Sequence, residues 1–323
     1  MRTRMLVLAC VCVGALGLVA TASASQLVAR NASRISLKVN AKGTALVTYS
    51  VRGKATHLLA WGAVNARSRP STNRIKQVAF KLDYSGGWKH RRLVWKKFKN
   101  RCQPYDGPDL PWLAAACKAP NGSYWALQSW QTALPNLGMA PWLGKQKTWW
   151  LHLSHWTGEP AKLDVYRDWV YGGRFQEIFG QFTYNGIGVR GFGTTEYGNP
   201  TDGFGRLLYL DTLNSGYGKG WLRENSFVSH GPPGMFCYGF FPHNPYVGGY
   251  AHPRGIPNRK RGPGTGEMYR LTAIGPGVTP DVMWQDQGLH PYNRNNPADV
   301  ALESQANVEL DTIRGSWKKC RKH

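Results

Sequence analysis

The chain has 323 residues with 41 Lys/Arg against 18 Asp/Glu, a formal net charge of +23, and it is rich in Gly, Pro, Trp and Tyr. Gly and Pro interrupt regular elements while aromatics suit pleated surfaces, so the mixture predicts short strands joined by many turns rather than long helices. The length allows one large or two medium domains with sizeable cores.

Met1-Arg2-Thr3-Arg4 is a short basic start, Met5 to Ala20 is almost wholly apolar, and Ala22-Ser23-Ala24 supplies small residues. This order is that of a signal peptide cleaved near Ala24. It predicts a secreted, extracellular or cell-wall-associated protein starting near Ser25. The apolar run is too short and wrongly flanked for a membrane span, and no later stretch approaches the length required. Secretion excludes intracellular nucleic acid as a partner. It also predicts disulfides for the four cysteines of the mature chain, Cys102, Cys117, Cys237 and Cys320, paired 102–117 and 237–320 among three possible pairings.

Alternation predicts the first strands at Ile35 to Val39, Ala45 to Val51, His57 to Val64 and Val78 to Tyr84. The densest basic stretch follows, "WKHRRLVWKKFKNRC" at residues 88–102. Here Lys89, Arg91, Arg92, Lys96 and Lys97 are interleaved with Trp88 and Trp95. Cations attract phosphates and carboxylates, and aromatic faces stack on bases or sugars, so these seven residues are the candidate contact with an anionic polymer or carbohydrate. The competing reading is a solvated basic face with the aromatics turned inward.

A strand at Ser123 to Trp130 is followed by "ALPNLGMAPWLGKQK", whose Pro and Gly residues suggest a linker at 136–147. Charge changes there: residues 25–145 carry 20 Lys/Arg and three acids, whereas residues 146–323 carry 19 and 15. The expected division is a basic β-rich module at 25–135 and a Gly- and aromatic-rich β module at 148–323. In the strand Trp149 to Trp156, His152 and His155 lie three apart and point to opposite faces, which argues against a shared metal.

Further strands are expected at Lys162 to Trp169, Arg206 to Asp211 and Glu267 to Ala273. Asn185-Gly186 between two alternating runs is the strongest hairpin signal. Gly186, Gly188 and Gly191 match a dinucleotide fingerprint with Asp211 downstream, but the glycines begin in a turn and no helix can follow, so no cofactor is expected. Ser229-His230-Gly231 ahead of Cys237 resembles the signature of L,D-transpeptidases, secreted enzymes with a cysteine nucleophile. In that family the cysteine follows the glycine directly. Here five residues intervene and Tyr238 stands where an arginine is expected, so Cys237 reads as half of a disulfide. His243 and His252 lie in a Pro/Gly-rich stretch without completing ligands, and no metal site is expected.

The one helix is signalled by Asn296 as cap, Pro297 at its first position, Asp299 in the first turn, and Leu302, Ala306, Leu310 and Ile313 on one face. Alternation at Val308-Leu310-Thr312 competes as a strand. The sequence therefore predicts a mainly β protein of sandwich- or barrel-like modules with a C-terminal α-helix. Its expected function is a binding or surface-associated protein contacting anionic polymer or carbohydrate. The alternative is a hydrolase of polysaccharide or cell wall, using a carboxylate pair drawn from Glu177, Glu196, Asp202, Asp211, Glu224 and Asp286. No nucleophile elbow or H-E-x-x-H stretch is present.

Overall fold

A computed structural model of the protein describes residues 25–63, 79–87, 94–133, 147–168, 177–184, 186–189, 208–215, 218–223, 226–230, 234–240, 267–275, 278–287 and 292–315. Four antiparallel sheets and one helix emerge. Sheet I runs β2 (Ser33–Val39), β3 (Ala45–Val51), β4 (Lys54–Gly62) and β5 (Phe80–Asp83). Sheet II has the order β1 (Gln26–Arg30), β8 (Lys147–Trp156), β7 (Tyr124–Ala133) and β6 (Leu113–Lys118). Sheet III orders β13 (Gly218–Arg223), β12 (Leu208–Ser215), β16 (Met268–Ala273) and β17 (Val282–Asp286). Sheet IV holds β11 (Ile187–Gly188), β10 (Glu177–Tyr184), β15 (Met235–Phe240) and β14 (Ser226–His230), with β9 (Lys162–Asp168) also on β10.

The pleat decides what each sheet covers. Along β7, Trp125 and Leu127 join Val47, Leu58 and Leu153 in the core between sheets I and II. Trp130 points the other way and meets Tyr209 of sheet III, with Trp112 and Trp150 beside it. Tyr209 has the same relation to its neighbours, since Leu208 and Leu210 turn to Ile178, Phe182 and Phe236 of sheet IV. The sheets are therefore stacked in the order I, II, III, IV. Burying one such Leu or Phe side chain is worth about 1.5–3 kcal/mol, so each interlayer core contributes substantially.

The helix α1 (Pro297–Arg314) closes the stack, packing Ala306, Leu310 and Ile313 on Tyr166, Phe179 and Met235 of sheet IV. The Asn296 side chain accepts from the Ala298 amide at 3.1 Å, and Gly315 ends the helix at φ 54°. Leu310 is 2% exposed and Val308 66%. A one-sided apolar stripe at helical spacing thus overrides the local alternation, and the expected mainly β architecture with one C-terminal helix is what the chain forms.

β7 and β8 pair continuously from Tyr124↔Trp156 to Ala133↔Lys147, so the strand after the expected linker shares a sheet with the strand before it. Residues 136–146 of that expected linker lie outside the described residues. At the smaller hairpin, Tyr184 pairs with Ile187 across Gly186, whose φ is 72°, so the first two fingerprint glycines belong to a β-turn and short strand. Among the described residues no helix is long and apolar enough to cross a membrane.

Candidate functional site

The basic stretch re-enters the described structure at Val94–Lys97, a single 3-10 turn. Trp88, Lys89, Arg91 and Arg92 lie outside the described residues. The chain then runs along sheet I, where the Arg101 amide donates to the Val39 carbonyl at 2.6 Å and the Asn100 side chain accepts from the Val39 amide at 3.1 Å. The disulfide Cys102–Cys117 ties its end to β6.

Trp95 stacks on His57, with centroids 4.0 Å apart and planes 9° apart. His57 is on the face of β4 opposite Leu58, which points into the core. Trp95 therefore lies on the outer face of sheet I, half-buried. Gly86 permits this approach: its φ is +63°, and a Cβ there would meet Trp95 Cδ1 at 2.9 Å and the His57 carbonyl at 3.0 Å. Burial lowers the His57 pKa, so the imidazole beneath the indole is neutral at physiological pH.

Lys96 Nζ lies 5.5 Å from the Trp95 ring centroid, and Lys96, Lys97, Lys99 and Arg101 are exposed. By strand parity, exposed Lys38 and Lys81 project from the same outer face. Among the described residues no ion pair neutralises any of these six cations. The carboxylate of that face, Asp83, is buried and accepts from the Ser85 and Gly87 amides at 2.9 and 3.0 Å. A rigid aromatic plate bordered by unpaired cations can hold an extended anion.

Of the carboxylates proposed for hydrolysis, the two whose side chains are described, Asp211 and Asp286, are each paired with an arginine. Asp211 is fully buried and paired with Arg270 at 2.8 Å, and Asp286 pairs with Arg167 at 3.5 Å. Glu177 is placed in β10 by its backbone; Glu196, Asp202 and Glu224 lie outside the described residues, as do His243, His252 and Cys320. Cys237 sits in β15 opposite Phe179 and Ser229.

A groove of about 450 Å³ does bring Asp106 and Glu159 into one lining with Tyr124 and Lys162. The Lys118 ammonium at 2.7 Å and the Tyr124 hydroxyl at 3.0 Å hold Asp106 below its ordinary carboxylate value. Such a group stays ionised and is unsuited to act as a general acid. His155 and His152 do face opposite sides of β8: His155 Nδ1 meets the Gly62 carbonyl at 2.9 Å, and His152 Nδ1 meets Asp281 at 3.0 Å. Among the described residues no group of three or more His, Cys, Asp or Glu could hold a metal ion.

Sequence reasoning missed a buried cluster between sheets II and III. Ser25 Oγ lies 2.7 Å from His152 Nδ1 and donates to Asp281 Oδ1, while His152 Nδ1 is 3.0 Å from Asp281 Oδ2. Serine, histidine and aspartate suggest a hydrolytic triad, but that chemistry needs serine on one ring nitrogen and aspartate on the other. Here both use Nδ1, and none of the three residues is more than 2% exposed. The cluster is an internal tie. No local signal marks it, because Ser25 and Asp281 are 256 residues apart.

No protein-family model, curated protein or solved structure significantly matches this chain.

Proposed function

We propose that this is a secreted, disulfide-bonded binding or surface-associated protein whose outer sheet I face contacts an anionic polymer, including acidic carbohydrate. The observation that carries this reading is Trp95, fixed flat on His57 beside exposed Lys96 and Lys97. Repulsion among neighbouring cations without acidic partners is relieved by a polyanion. The indole adds a face on which a sugar or base can lie. The charge excess of residues 25–145 supports the same partner.

The test is equilibrium binding of the mature protein to duplex DNA, acidic polysaccharide and anionic vesicles over a range of salt. Several charge contacts make the affinity fall steeply with salt, with a slope near −0.9 per phosphate contact for duplex DNA. Lys96→Gln with Lys97→Gln flattens the slope at an almost unchanged thermal midpoint, because exposed charges contribute little to stability. Trp95→Ala lowers affinity more than it lowers stability. Hydrolysis products are assayed in the same tubes. No binding to any of the three at low salt, or turnover without retention, overturns the proposal.

A further inference from the structure

We propose that Ser25 is the first residue of the mature protein and that its α-ammonium, freed by signal-peptidase cleavage after Ala24, docks beside Asp281 and locks sheet II to sheet III. The inference rests on the secretory leader of the sequence and is independent of the basic surface.

The step is an amide hydrolysis. Water adds across the Ala24–Ser25 bond, the C–N bond breaks, Ala24 keeps a carboxylate, and the Ser25 nitrogen takes up protons to become an ammonium. Ser25 is already seated where that charge is useful. It is 1% exposed, and its backbone nitrogen donates to the Gly275 carbonyl at 3.1 Å. The Gly275 amide donates in turn to Asp281 Oδ1 at 3.2 Å, the oxygen that the Ser25 hydroxyl also reaches. An ammonium keeps the bond to Gly275 and adds two donors beside the carboxylate.

The pocket suits such a cation. Asp281 is fully buried, and a charge removed from water is tolerated only when paired and hydrogen-bonded. Burial pushes its carboxyl up, but the charge of His152 and hydrogen bonds from His152, Ser25 and Trp130 outweigh this and hold it below the usual carboxylate value. It is therefore ionised. Gln128 fixes the Asp281 backbone at both its amide and its carbonyl, each at 2.9 Å, so the carboxylate cannot swing out to water. Among the described residues, Asp281 and His152 are the titratable groups that touch Ser25, and Trp130 and Trp150 pack on the His152 ring. Asp211 and Arg270, also on sheet III, pair with each other.

The test compares two forms of the protein, one beginning at Ser25 and one carrying a single extra residue before it. The extended form keeps an amide donor for Gly275, loses the charge at the Ser25 nitrogen and carries its own α-ammonium one residue upstream. An ammonium held by a carboxylate has its folded pKa raised above the unfolded value of about 8, so its stabilisation is complete below that value and disappears as pH rises through the raised one. The Ser25 form should melt several degrees higher at about pH 6, with the gap closing by about pH 10. Asp281→Asn should abolish the gap; if that variant does not fold, the pH profile of the two wild-type forms decides. N-terminal sequencing of secreted protein should read Ser-Gln-Leu. A different first residue, equal midpoints at low pH, or a gap that pH does not alter would overturn the proposal.

Discussion

His155 lies flat against Trp125, with ring centroids 3.8 Å apart and planes inclined by 15°. The Gly62 carbonyl accepts from Nδ1 at 2.9 Å, and the Ser123 hydroxyl sits 2.8 Å from Nε2. This imidazole joins β8 of sheet II to the end of β4 of sheet I, and burial pushes its pKa down to about 4.

A pH dependence follows from that value. The unfolded histidine titrates near 6.5, so between about pH 6.5 and 4 the unfolded chain binds a proton that the folded chain refuses. Stability is complete above the unfolded pKa and falls as pH drops, by roughly 3 kcal/mol across the window. Urea unfolding at a series of pH values should show this slope, and His155→Gln should remove most of it. A variant that keeps the full slope would assign it to other groups.

Arg270 and Asp211 form a buried charge pair, at 2.8 Å. The guanidinium also lies 4.4 Å from the Trp221 centroid and 5.4 Å from that of Trp112, and it donates to the Gln131 carbonyl at 3.0 Å. Removing one partner strands a charge in the interior, so Arg270→Ala or Asp211→Ala should each cost about 3–5 kcal/mol. The double variant Asp211→Ala with Arg270→Ala should lose far less than the two single losses combined, measured as a coupling energy in a double-mutant cycle. Additive losses would mean that the two side chains act independently.

The disulfide Cys102–Cys117 closes a separation of 15 residues between the basic segment and β6. Loop-closure entropy puts its contribution at about 3 kcal/mol. Cys102→Ser with Cys117→Ser should lower the urea midpoint accordingly. It should also weaken polymer binding, because the segment carrying Lys96 and Lys97 loses its anchor. Peptide mapping should also join Cys237 to Cys320, and an alkylatable Cys237 in unreduced native protein would disprove that pairing.

Helix α1 depends on its cap. Asn296 accepts from the Ala298 amide, and its own side-chain amide donates to Asp299 at 2.9 Å. Asn296→Ala should cost about 1 kcal/mol, and Asn296→Gly only a few tenths. Equal losses for the two variants would point instead to the contact with Asp299.

Much of the secondary structure was legible in local order. The alternation of Ala45, Val47 and Tyr49 specifies a strand and its buried face, Gly186 its turn, and Asn296 with Pro297 the start of the helix. The sequence placed Trp95, Lys96 and Lys97 in one candidate stretch but left open whether the indole turns inward, and it did not show that His57 and Gly86 would support it. Strands β1, β6, β13 to β15 and β17 carry weak alternation and were not expected, because each is held by partners more than by its own pattern.

Only the tertiary structure decided the stacking. Alternation shows that a strand has an apolar face, but it does not name the layer that covers it or reveal that a second layer covers the polar side. Gln128 and His152 lie on strand faces that read as solvent-facing, yet both are almost completely buried. Their hydrogen bonds come from Asp281, which is 153 residues from Gln128. A buried polar group is tolerated only when its partner is present. That partner is brought there by the packing of Trp130 on Tyr209, a contact between sheets that no stretch of sequence specifies alone.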